Sequence, residues 1–70
     1  MTSEEIKKAM LNFTPVIYDG IEYERINAYI YRIVKTHQAG KYKTIMQVEL
    51  HDKKTNSVTI ADAKKVEVVT

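Results

Sequence analysis

The chain has 70 residues, no cysteine and a net charge of +2 at neutral pH, which points to a single domain over residues 1–70 with neither disulfides nor thiolate metal sites. Two histidines, His37 and His51, are too few for a histidine-built zinc site, and no apolar run nears the ~18 residues of a membrane span. The opening Met-Thr-Ser-Glu-Glu5 is acidic and polar, unlike the basic start of a signal peptide, so the expectation is a soluble cytoplasmic protein that does not engage membranes.

The first element reads as a helix over about residues 3–12. Thr2 and Glu5 have the spacing of a capping box, and Glu4 and Glu5 suit the positive end of the helix dipole. Ile6, Ala9, Met10 and Phe13 recur at helical spacing and form one apolar stripe. Asn12 can close the helix, and Pro15 biases Thr14 away from it. A helix of about ten residues is marginal alone, so this stripe must dock on something.

From about residue 15 onward the chain reads as β. Pro15-Val-Ile-Tyr18 and Ile21-Glu-Tyr23 flank Asp19-Gly20, the pair that a two-residue type I′ hairpin turn demands. The stretch from Ile21 to Val34 is long for one flat strand, and a bend near Arg25–Asn27 is expected. The central hairpin follows, Arg25–Val34 and then Tyr42–Leu50, around a Thr36–Gly40 loop. In its second strand Met46, Val48 and Leu50 alternate with Gln47, Glu49 and His51, the pattern of one buried face.

Its register follows from requiring the apolar sets to meet, since a slip of one residue turns every side chain over. Pairing Ile26 with Leu50, Ala28 with Val48 and Ile30 with Met46 meets that requirement. The other face then collects Tyr29, Tyr31, Ile33 and Ile45, with Tyr31 across from Ile45, Ile33 from Lys43, and Arg25 from His51. Such a face is too apolar for water. Either the helix stripe or a partner must cover it.

After a polar turn at Asp52–Asn56, Ser57–Ala61 is expected to aim Val58 and Ile60 at Leu50 and Val48. Asp62–Lys65 reads as one turn of 3₁₀ helix, and Val66–Thr70 as a last strand with Val66 and Val68 inward. The fold expectation is mainly β with one N-terminal helix, the β part a five-stranded antiparallel barrel. The run Ser57-Val-Thr-Ile-Ala-Asp-Ala-Lys-Lys-Val-Glu-Val68 (strand, single turn, closing strand) resembles the end of SH3-like small barrels, a resemblance of pattern over about residues 15–70. The chain lacks the tryptophan and the long first loop of signalling SH3 domains, which argues against a proline-peptide groove. The short helix with a Lys-rich barrel is also similar in general look to uncharacterised small proteins of bacteriophages and mobile elements of Gram-positive bacteria. That resemblance implies an accessory protein that binds, and could inhibit, a host component.

Catalytic chemistry finds little footing. There is no glycine-rich phosphate loop and no nucleophile signature. His51 and Asp52 are neighbours on a strand and so point to opposite faces, and Asp52 and Asp62 are better explained as turn residues than as a cation site. No cofactor, metal or small-molecule substrate is expected. The five tyrosines carry more weight, because tyrosine is favoured at binding surfaces. The leading expectation is a non-enzymatic module that binds a protein through Tyr29, Tyr31, Ile33, Ile45 and Lys43. The second is nucleic-acid binding through Arg25, Arg32, Lys41 and Lys43 with Tyr29 and Tyr31 stacking on bases. The third is self-association through the same patch, with monomer and homodimer both open.

Overall fold

The computed structural model describes residues 1–69. It is mainly β with one N-terminal helix, but the expected five-stranded SH3-like barrel is not there. Six strands form two separate three-stranded antiparallel sheets. Strand β1 (Val16–Tyr18) lies between β2 (Ile21–Tyr23) and β6 (Glu67–Val68), and β4 (Tyr42–Asp52) lies between β3 (Arg25–Lys35) and β5 (Ser57–Asp62). The extra strand arises because the long second strand breaks at Glu24, so its two halves serve different sheets. Among the described residues β5 pairs only with β4, and β6 only with β1, so no ladder closes the sheets into a barrel.

Local chemistry explains the elements. Helix α1 (Ser3–Leu11) starts at a capping box: the Glu5 amide donates to the Thr2 hydroxyl, and the Thr2 amide donates to the Glu5 carboxylate. The Thr2 backbone amide, and after it the Thr2 hydroxyl, hold the Glu5 carboxyl below the usual carboxylate range. Asn12 caps the other end, so Phe13 lies outside the helix, with a left-handed φ of 50° and an exposed ring. The helical stripe is therefore Ile6, Ala9 and Met10, without Phe13. At the first hairpin Asp19 and Gly20 both have positive φ, and Tyr18 pairs with Ile21, as a two-residue turn requires. A single 3₁₀ turn, Ala63–Lys65, is capped by the Asp62 carboxylate, which accepts from the Lys64 amide.

The core sits where α1 and both sheets meet. Ile6, Val16, Val48, Leu50 and Val66 are fully enclosed, with Ala9, Tyr23, Ile26, Ala61 and Ala63 around them. Two inward assignments do not hold. Thr59 and Ala61, not Val58 and Ile60, stand across from Leu50 and Val48, because the large side chains already present leave room there only for small ones. Val68 is partly exposed, while Val66 just before the strand is enclosed.

The main departure is in the central hairpin. Arg25 pairs with His51 and Ile26 with Leu50, but then Ala28 pairs with Glu49, leaving Asn27 as the extra residue of a β-bulge. Beyond the bulge every β3 side chain is turned over relative to the expected register. Tyr29, Tyr31 and Ile33 join the core-side face, across from Val48, Met46 and Thr44, and Ile30 stands across from Gln47 on the opposite face, both half-buried. The bulge lets Ile26 and Tyr29, three residues apart, serve the same interior, which strict alternation forbids. It also lengthens the loop by one residue, to Thr36–Lys41, since Lys35 now pairs with Tyr42.

Candidate functional site

The two long strands outrun the core. Eleven residues at about 3.3 Å each span roughly 36 Å, in keeping with the molecule's 43 Å long dimension. Helix α1 packs on β3 and covers only the near part of its inner face. Tyr29 and Met46 pack at the margin of the core, where the Tyr29 hydroxyl donates to the Met46 sulfur. Past that point the cover ends. Tyr31, Ile33 and Tyr42 remain 63, 62 and 66% exposed, and the register puts all three on the same face of the two-stranded arm.

The arm has two unlike faces. Its inner face carries Tyr31, Ile33 and Tyr42, continuing the line of core residues outward. Its outer face carries Arg32, Val34, Lys43 and Ile45, with Arg32 across from Ile45 and Val34 from Lys43. The five residues expected to form one partner-binding patch therefore do not share a surface. Tyr29 belongs to the packed interior, Tyr31 and Ile33 to the exposed inner face, and Ile45 and Lys43 to the outer one. At the tip, Thr36 and Lys41 are joined backbone to backbone, the Thr36 side chain is bonded to Gln38 and Lys41, and a shallow cavity of about 480 Å³ opens between Ile33, Lys35 and Tyr42.

Charge separates the arm from the rest. From Arg25 to Val48 the chain has five Lys or Arg and no Asp or Glu. Four of these, Arg32, Lys35, Lys41 and Lys43, belong to the arm and are exposed. Arg25 does not belong with them: its guanidinium lies 5.6 Å from the centre of the Phe13 ring and donates to the Asn27 side chain. Of the nucleic-acid set expected from sequence, Arg32 and Lys43 stand on the outer face, Tyr31 on the inner face and Lys41 at the tip, while Arg25 lies against the Phe13 ring and Tyr29 at the margin of the core. Tyr42 is the residue that sequence reasoning passed over. Its shared parity with Met46 and Thr44 was the available signal.

His51 has a structural position. Its Nδ1 lies 2.8 Å from the Glu24 carboxylate and its Nε2 3.2 Å from the Asn56 side-chain oxygen, while the Glu24 amide donates to the His51 carbonyl. The imidazole thus clasps the corner where β2 gives way to β3. Asp52 accepts from the Lys54 amide, an ordinary turn contact.

Comparison with family models, with curated proteins and with solved structures finds no match to this chain. The likenesses to SH3-like barrels and to phage and mobile-element proteins are corrected accordingly, the first by the two open sheets and both by the absence of any match. Among the described residues no helix is long and apolar enough to cross a membrane.

Proposed function

We propose that this chain is a non-enzymatic binding module whose β3–β4 arm holds a protein partner. Tyr31, Ile33 and Tyr42 make the apolar contact on the inner face, Lys35 and Lys41 meet carboxylates beside it, and Arg32 and Lys43 meet carboxylates of the partner on the outer face. The observation that carries the reading is the exposure of three large side chains on one face, adjacent along a ladder, outside the reach of α1. Isolated exposed apolar residues are ordinary, whereas a contiguous group rimmed by polar residues marks an interaction surface. A projecting hairpin can also enter a groove and use both faces, which helps a small chain reach the ~800 Å² per partner of a stable complex.

The test is a variant carrying Tyr31→Thr, Ile33→Thr and Tyr42→Thr, which keeps strand propensity while removing the apolar contact. Wild-type protein coupled to a resin should retain a specific partner from the native cell, and the folded variant should lose it. Retention of the same partner by both removes the arm from consideration.

The acid-free stretch gives nucleic acid a specific claim as the second reading. Basic groups on phosphate with Tyr31 and Tyr42 against bases would give an affinity that falls steeply with salt. Titration against single- and double-stranded DNA and RNA at low salt decides it, and absence of binding there excludes it. Self-association through paired arms is the least favoured, because two arms of the same charge repel.

A further inference from the structure

The lysines of this chain stand in two different surroundings. A cavity of about 450 Å³ brings Lys53 and Lys54 together with Glu22, Glu24 and Asp52, and Asp62 and Glu67 bracket Lys64 and Lys65 in the chain. Those four have carboxylates of the molecule beside them. The tip of the arm does not. Its cavity of about 480 Å³ is lined by Lys35 and Lys41 with Ile33 and Tyr42, and by no acid. Along the ladder the acids closest to it are Asp62, which stands across from Gln47, and Glu49. They lie five and seven rungs back from Tyr42, roughly 17 and 23 Å. Among the described residues the one ion pair joins His51 and Glu24, so both tip lysines are exposed and without a counter-charge.

This cavity closes the far end of the exposed apolar strip. Tyr31, Ile33 and Lys35 follow one another on the inner face of β3, and Tyr42 stands across from Lys35. Successive side chains on one face are about 6–7 Å apart, which is also the spacing of alternate residues in an extended chain. The Thr36 hydroxyl is taken up by the carbonyls of Gln38 and Lys41, which leaves the two ammonium groups as the charged donors of the cavity. The arm's other cations, Arg32 and Lys43, are on the outer face. No single face therefore carries a row of cations for a phosphate backbone to follow. An apolar segment that ends in one carboxylate matches what the inner face offers.

We propose that the inner face of the arm takes an extended segment of a protein partner with apolar side chains at two alternate positions and a carboxylate at the next. The apolar pair lies on Tyr31 and Ile33, and the carboxylate enters the tip cavity between Lys35 and Lys41. Neither lysine is paired in the free protein, so the carboxylate gains two charge contacts without displacing one. The proposal rests on the arm being the partner-binding surface and adds the order and spacing that the partner must carry.

The experiment titrates the whole chain, followed by amide NMR shifts, with three capped peptides. They are Ser-Phe-Ser-Leu-Ser-Glu-Ser, the same peptide with glutamine for glutamate, and Ser-Phe-Ser-Glu-Ser-Leu-Ser, which keeps the composition and moves the charge between the apolar residues. The first should shift the arm amides, bind about fivefold more tightly than either of the others, and lose that advantage as salt rises. A variant with Lys35→Gln and Lys41→Gln, both at exposed positions, should bind the glutamate and glutamine peptides alike and the glutamine peptide as the wild type does. Absence of tip shifts with the first peptide at about millimolar concentration overturns the proposal, as does equal affinity for the three peptides. Tighter binding of oligothymidylate to the same amides overturns it in favour of nucleic acid. Tip shifts that change with protein concentration alone make the occupant a second copy and overturn it too. If charge makes no difference but the variant with threonine at positions 31, 33 and 42 still loses the native partner, only this inference fails and the arm reading stands. Retention of the partner by that variant removes both.

Discussion

Replacing Tyr29 and Tyr31, each by threonine, separates the bulged register from the regular one. Threonine retains strand propensity, so the difference between the two variants reports burial and not backbone preference. Tyr29 packs at the margin of the core and bonds to the Met46 sulfur. Full burial of an aromatic ring followed by truncation costs about 3–5 kcal/mol, and for a ring only partly enclosed about 2 kcal/mol is expected. In a domain of this size that lowers the melting temperature by about 8–16 °C. Tyr31, two residues on and 63% exposed, should cost about 0.5 kcal/mol or less. Thermal and denaturant unfolding followed by circular dichroism measure both. A hairpin without the bulge would put the two tyrosines together on the outer face and make the two variants equivalent. Equal losses, or a larger loss for Tyr31→Thr, would refute the bulged register and the arm built on it.

Three further outcomes follow from the same packing. Deleting Asn27 should restore strict alternation and force either Ile26 or Tyr29 out of the interior, a loss of about 1.5–3 kcal/mol for the isoleucine alone, whereas Asn27→Ser should be nearly neutral; urea titration of both variants checks it. Gly20→Ala places a Cβ in open space at φ 74°, so its cost is conformational only, about 1 kcal/mol, measurable as a lower unfolding midpoint; an unchanged midpoint would show that the Asp19-Gly20 turn is not as described. Because the folded-state pKa of Glu5 is lowered, its stabilisation is present above the unfolded carboxylate pKa and lost as pH falls through the folded one. Helical circular dichroism should therefore decline on acidification, Glu5→Gln should remove that part of the decline, and an NMR titration of Glu5 midway at or above the ordinary carboxylate value would contradict the capping box.

The parts legible in the sequence are those that neighbouring residues settle among themselves. The Thr2–Glu5 capping box, the helix end at Asn12, the Asp19-Gly20 turn and the 3₁₀ turn after Asp62 each depend on groups within four residues of one another, and each lies where local chemistry puts it. That the stretch from Ile21 bends was also readable from its length, though the bend was expected near Arg25–Asn27 and the strand breaks at Glu24. Its consequence was not, because whether the two halves share a barrel or divide between sheets depends on what β5 and β6 pair with.

The candidate site was legible in its composition and not in its arrangement. That Tyr31, Ile33 and the arm's cations lie near one another follows from the hairpin alone. Which face each occupies turns on Asn27. Strand β3 is apolar on both parities, with Ile26, Ala28, Ile30 and Val34 on one and Tyr29, Tyr31 and Ile33 on the other, so alternation cannot choose between them. Strand β5 poses the same ambiguity, since Val58 and Ile60 look inward by hydrophobicity and point outward in the fold. Only the filled space under α1 makes the choice, admitting Tyr29 beside Val48 and Ala61 on its other side, and leaving the larger side chains of β5 and the far half of the arm uncovered. Local hydrogen bonding and backbone preference thus decide where elements begin and end, while the volume available between the helix and the two sheets decides which way their side chains face.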